Sequence, residues 1–206
     1  MNQRLKALDV FRGLTVALMI LVNNPGSWAN IHPPLRHAAW HGLTPTDLVF
    51  PFFLFIVGVA VSLGFSSRLE SGSSSRDLVL KIIRRTVIIF SLSWLLNGFP
   101  FGLFGSETIT QTLSNLRFLG VLQRISLCYL LVGLTVVLVQ GRWGRLLIMA
   151  LWLVIYEVIM RWPLAAGWGE GSFLLDDNFV RFLDLKILGE SHLYHVGKVA
   201  FDPEGL

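Results

Sequence analysis

Three histidines fall inside a ten-residue stretch, His32, His37 and His41, with Trp28, Arg36 and Trp40 around them. An imidazole titrates near neutrality, so one of these rings could take a proton from an attacking amine or hydroxyl, or attack a thioester itself. Hydrogen bonding at a polar boundary is the plainer use of any one ring. His37 and His41 are four apart and would share a helix face, which is also the spacing of a metal pair. The zinc-protease pattern wants Glu where Ala38 stands, so no metal is assigned.

Polar groups near or inside apolar runs come next, because a polar side chain in hydrocarbon is costly unless it has a partner or a wet cavity. Thr44, Pro45, Thr46 and Asp47 read as an N-cap threonine, a first-turn proline and an acid at the third helical position, a capping box with Asp in the usual Glu place. The same carboxylate could orient or charge-stabilise a histidine of the adjoining loop. Asn23 and Asn24 precede Pro25 and Gly26, which weaken a helix and free its carbonyls. Their amides suit either a helix-to-helix hydrogen bond or a polar cavity. Arg124, beside Gln123, needs a counter-charge: Asp47, a cofactor phosphate, or snorkelling to the surface would each supply one. Glu157 has a partner four residues on in Arg161. Cys128, the only cysteine, can form no disulfide within the chain and suits a small buried hydrophobe.

The elements that must position these groups are membrane helices. Hydrophobic residues make up 53% and charged residues 15% of the 206, and the mean hydropathy is +0.63, so water is not the main solvent. A hydrocarbon core of roughly 30 Å needs about 20 helical residues. Apolar runs near 10–28, 45–65, 82–99, 119–139 and 146–162 meet that length, giving an all-α, polytopic transmembrane bundle of about five spans. Arg4 and Lys6 before the first run imitate a secretory signal, but Asp9 and Arg12 interrupt it and no small-residue cleavage pattern follows, so it reads as a retained helix. Pro51 should kink the second span, and Gly58 with Ser62 forms a small-residue packing pair.

Cations are retained on the cytoplasmic side. Arg4, Lys6 and Arg12 precede the first span, Arg68, Arg76, Lys81, Arg84 and Arg85 lie between the second and third, and Arg142 and Arg145 between the fourth and fifth. These alternate ends share one face, so the N-terminus is cytoplasmic and 29–44 faces outward. Topology accounts for the cations without nucleic acid, despite a pI of about 9.6, and contact with acidic lipid or cofactor phosphates is the other use open to them. The loop around Gly72 and Ser73 to Ser75 suits a flexible connection. Residues 163–206, with Gly167, Gly169 and Gly171 and an amphipathic stretch from Phe179 to Leu188, form an outer-facing tail. Its stop without another span suggests a fragment of a larger bundle.

Arg4, Leu5, Asp9, Phe11, Arg12 and Gly13, then Val22 and Asn23, then His37, Ala38, Trp40, Gly42, Leu43 and Thr44, then Asp47 through Pro51 resemble the heparan-alpha-glucosaminide N-acetyltransferase family and its bacterial relatives. Gly120 to Arg124 and Phe201 to Leu206 look like further motifs of that family, so the likeness spans essentially the whole chain. The resemblance implies a many-helix membrane enzyme that moves an acetyl group from cytosolic acetyl-CoA to the amino group of a glucosamine on the other side. It also implies that the chain ends near mid-protein. His37 matches the family's catalytic histidine and Asn23 its active-site partner. Pro25, Pro33 and Pro34 replace a glycine- and aromatic-rich segment of the eukaryotic pattern, which leaves the acceptor open. A bacterial plasma membrane is the natural location.

On that likeness the expected catalytic residues are His37, Asn23 and Asp47: His37 as general base or acetyl carrier, Asn23 holding the ring or the acetyl carbonyl, Asp47 fixing the tautomer. Arg124 and Gln123 are the expected cofactor-binding residues. Expected partners are membrane lipid, acetyl-CoA and an amino sugar or glycan acceptor, with homo-oligomer formation left open. Two rivals stand beside this reading. One is a sugar transporter without covalent chemistry. The other is an envelope polysaccharide O-acyltransferase, because Asp9 to Gly13 also looks distantly like the type 3 acyltransferases.

Overall fold

The computed structural model describes residues 5–99, 109–139, 141–161, 173–175, 177–196 and 199–202. Arg4, Trp162, the glycines at 167, 169 and 171, and the tail from Pro203 lie outside them. Among the described residues seven α-helices carry the architecture: α1 (Lys6–Asn23), α2 (Val49–Glu70), α3 (Ser75–Gly98), α4 (Ile109–Ser114), α5 (Val121–Leu138), α6 (Arg142–Arg161) and α7 (Phe179–Ile187). The fold is all-α apart from a two-residue antiparallel pairing of β1 (His195–Val196) with β2 (Val199–Ala200). The helices fall into two compact units, Met1–Ser73 and Ser74–Leu206.

In the first unit α1 packs on α2 and touches the 3-10 turn Thr46–Leu48 that leads into it. α1 stops at Asn23, short of the expected Trp28. Pro25 cannot donate to the helical ladder, and Gly26 turns back at φ 74°. Asn24 finishes the helix, its Nδ2 donating to the Ile20 carbonyl at 2.8 Å and its backbone N–H to Leu21. Phe11 meets Phe52 edge-on at 5.1 Å and Phe55 at 6.2 Å. Pro51 falls in the first turn of α2, where a missing N–H costs least, and the irregularity sits ahead of it as the 3-10 turn.

In the second unit α3 and α5 form the largest contact. Leu78 and Ile82 are fully buried on α3. Ile82 faces Gly133, Arg85 lies over the Tyr129 ring, and Ser93 bonds Gln123. Rising numbers on α3 meet falling numbers on α5, so the pair is antiparallel. The cations early in α3 and those opening α6 therefore share one end of this unit, as the charge pattern expects. α7 occupies the expected amphipathic stretch, its N-terminus capped by Asn178, whose Oδ1 accepts from the Arg181 N–H at 2.8 Å.

Thr46–Glu70, Val121–Leu138 and Arg142–Arg161 are long and apolar enough to cross a membrane. The other two expected spans are helical but more highly charged. α1 contains Lys6, Asp9 and Arg12, and even the last 18 residues of α3 hold Lys81, Arg84 and Arg85. α6 leaves nearly every apolar side chain exposed, with Met160 its one buried residue.

A Cβ added at Gly133 would lie 3.1–3.2 Å from three Ile82 carbons. Gly133→Leu should destabilise the protein by about 1–3 kcal/mol through overpacking, read as a lower thermal midpoint in detergent. Gly58→Ala, at a position with open space around the new Cβ, should leave that midpoint nearly unchanged.

Candidate active site

Asp47 gathers the outer loop of the first unit. Its Oδ2 accepts from the Thr44 backbone N–H at 2.8 Å, the Thr44 hydroxyl at 2.9 Å and the Ala38 N–H at 3.3 Å. Its Oδ1 lies 2.7 Å from His37 Nδ1. The Thr44 N–H contact is the acid-to-backbone half of the helix-start arrangement that the spacing predicts; the Thr44 hydroxyl donates to the acid instead of accepting from its N–H, and a 3-10 turn follows. The His37 and Ala38 contacts pin a loop that has no regular structure of its own across 37–43.

This geometry fixes the chemistry of the ring. An ionised carboxylate only accepts, so Nδ1 must carry the proton, and neutral His37 then keeps its lone pair on Nε2. The His37 side chain is 65% exposed against 22% for Asp47, so the orienting group is half-hidden while the basic nitrogen is accessible. This is the relation between base and orienting acid that proton abstraction requires.

The neighbouring histidines stand apart from this pair. His37 and His41 do not share a helix face, because Pro33 and Pro34 start only a 3-10 turn, Pro33–Leu35, and Gly42 takes φ 129°. The His41 ring lies edge-on to Trp40 at 6.5 Å. His32 is exposed just before the prolines.

Asn23 is the exposed last residue of α1, and among the described residues no hydrogen bond joins it to His37 or Asp47. The register of the helix pair accounts for this. From the Phe11 contact, Asn23 is twelve residues on, roughly 18 Å along the axis. Asp47 is only five residues from Phe52.

Gln123 and Arg124 belong to the second unit. Gln123 is fully buried, its Oε1 accepting from the Ser93 hydroxyl at 2.6 Å and from the Gly120 N–H at 3.1 Å, which closes the first turn of α5. Its Nε2 is buried without a hydrogen-bond partner among the described residues. Arg124 has a counter-charge in Asp202, a residue not among the three candidates that the sequence offers: its Nη2 stands 3.2 Å from Asp202 Oδ1, close enough for an ion pair but not aligned as a hydrogen bond. Arg117 grips the same carboxylate twice, Nε to Oδ2 at 3.0 Å and Nη2 to Oδ1 at 2.6 Å. Phe118, next in sequence, stacks on His192 at 3.9 Å, and His192 Nδ1 bonds the Leu116 carbonyl. Sequence reasoning missed Arg117 and Asp202 as partners. They are 85 residues apart, and the available signal was the place of Asp202 in the Phe201 to Leu206 stretch that resembles the family. Glu157 and Arg161 pair as their spacing predicts.

Comparison with known proteins bears on the same stretch. The family model described as "Heparan-alpha-glucosaminide N-acetyltransferase, catalytic" matches residues 4–182. The human protein named heparan-alpha-glucosaminide N-acetyltransferase is 28% identical over 98% of this chain and 35% of its own length. The mouse protein of that name is 35% identical over 63% of this chain and 19% of its own length. The chain thus spans about a third or less of these relatives.

Three outcomes follow from the two carboxylates. Asp47→Ala should lower stability by about 0.5–2 kcal/mol, the usual loss for a helix-start cap. It should also erase the hydrogen-bonded Nδ1 proton signal of His37 in NMR, whereas Asn23→Ala should leave that signal in place. Asp202→Ala removes the carboxylate that pairs with both Arg117 and Arg124 and should cost roughly 3–5 kcal/mol in unfolding measurements.

Proposed function

The chain belongs to the heparan-alpha-glucosaminide N-acetyltransferase family, and from that premise we propose that it carries the proton-transfer site of a membrane enzyme acetylating a glucosamine-type amino sugar from acetyl-CoA. The single observation that carries this reading is the 2.7 Å contact between His37 Nδ1 and Asp47 Oδ1 on an otherwise exposed ring.

His37 Nε2 takes a proton from the sugar amine as its nitrogen attacks the thioester carbonyl. A C–N bond forms and the C–S bond breaks. The imidazolium returns the proton to the departing thiolate, so the products are the acetamido sugar and free coenzyme A thiol. Asp47 holds the ring in the required tautomer and stabilises the transient imidazolium. With no hydrogen bond to the ring, Asn23 is assigned to the acetyl carbonyl instead. Arg124 remains the choice for a donor phosphate, and Gln123 Nε2 is a further donor beside it.

The protein is an integral membrane protein. The finer arrangement we propose has α1 and α3 joining the three apolar helices as spans, the N-terminus in the cytoplasm of a bacterial cell, and the His37 loop facing out. The cation-bearing end of the second unit supports this orientation.

His37→Ala in the full-length protein should lower acetyl transfer to glucosamine by about 10²- to 10⁴-fold in proteoliposomes supplied with labelled acetyl-CoA, while membrane insertion is retained. Wild-type rates would exclude His37 as the base. Uptake of unmodified sugar without acetylation would favour a transporter.

A further inference from the structure

The second unit gathers its positive charge at one end. Arg76, Lys81, Arg84 and Arg85 occupy the first turns of α3, and Arg142 and Arg145 open α6 just past the end of the antiparallel α5. Against these six cations the same stretches contain one acid, Asp77.

Two of the guanidiniums are held by uncharged partners. Arg85 lies over the Tyr129 ring, 5.4 Å from its centroid. Arg145 donates from Nε to the Val139 carbonyl at 3.1 Å and from Nη2 to the Val136 carbonyl at 2.9 Å. Tyr129 and Val136 are seven apart on α5, so the two fixed cations attach to one helix face roughly 10 Å apart. A ring face and two helix-end carbonyls order these side chains, and among the described residues no carboxylate pairs with either guanidinium.

Apolar surface borders the cations directly. Ile83 on α3, Leu138 at the end of α5, and Trp143 and Leu147 on α6 are all exposed, the last two 72% and 70%. Arg142 lies over the Trp143 ring at 5.3 Å, joining the charged band to the apolar one.

We propose that this end of the second unit binds an anionic phospholipid, with its phosphate between Arg85 and Arg145 and its acyl chains along the exposed apolar side chains. A soluble nucleotide would answer the charge and make no use of the apolar border. A lipid answers both with one molecule, and basic pockets between membrane helices take such headgroups. This site is independent of the acetyl-transfer reading and uses none of its residues.

The test uses the full-length protein reconstituted in phosphatidylcholine nanodiscs, with phosphatidylglycerol, further phosphatidylcholine or adenosine 3′,5′-bisphosphate added. Retained ligand is counted by native mass spectrometry and the thermal midpoint is recorded. Phosphatidylglycerol should be retained and should raise the midpoint. Arg85→Gln should weaken its retention by about fivefold, the usual effect of one interfacial cation. Arg76→Gln, which removes the same charge away from the fixed pair, should leave retention within error. Arg145→Gln should act like Arg85→Gln, and because Arg145 also caps α5, the Arg85 variant decides the question if that protein misfolds. Equal losses in the Arg76 and Arg85 variants would mean general charge attraction and overturn the site. So would equal retention of the two lipids, or stabilisation by the bisphosphate alone.

Discussion

Four hydrogen-bonding groups converge on the Asp47 carboxylate: two from Thr44, one from the Ala38 backbone and one from the His37 ring. The constraint is the acceptor-only character of an ionised carboxylate at a helix start. One oxygen is saturated by the local backbone, which fixes the carboxylate's position before the imidazole is considered. The other oxygen is then in place to select a single tautomer of His37. Helix initiation and ring orientation are thus one event in this unit, and the loop needs no secondary structure of its own to hold its base.

The second unit solves a different electrostatic problem. A carboxylate as deeply buried as Asp202 carries a large desolvation cost, which two guanidiniums offset. Arg117 supplies the geometry, a two-pronged grip, while Arg124 adds charge at slightly longer range. The contact fastens the end of the β-pairing to the segment that opens α5, where Gln123 also closes the helix start. Residues that read as ligand-binding candidates in isolation thereby acquire structural partners, which narrows what either can offer a substrate.

What was legible in the sequence follows the range of each interaction. The Thr44–Asp47 cap and its reach to His37 depend on neighbours within ten residues, and both could be read from spacing. The Arg117–Asp202 grip crosses 85 residues and leaves no periodic trace. Hydropathy found the positions of all five long helices but misjudged their limits, because a helix does not stop where charge begins: α1 starts at Lys6 and α3 at Ser75, several residues inside the polar flanks. The shared helix face expected for His37 and His41 failed on backbone chemistry, two prolines before them and a left-handed glycine after. The polarity of Asn23 inside an apolar run was legible, but its pairing with His37 came from family likeness, and the aromatic register of α1 on α2 was not available to it.

α6 has consequences for how the chain reaches its native state. Its backbone is satisfied within the helix, yet among the described residues its side chains find almost nothing to lean on, so within this chain it gains little from docking and nearly everything from leaving water. Such a segment can become helical in the bilayer as an autonomous insertion step, ahead of any association with its neighbours. Biogenesis of this region should accordingly depend on the insertion machinery more than on the quality of its packing.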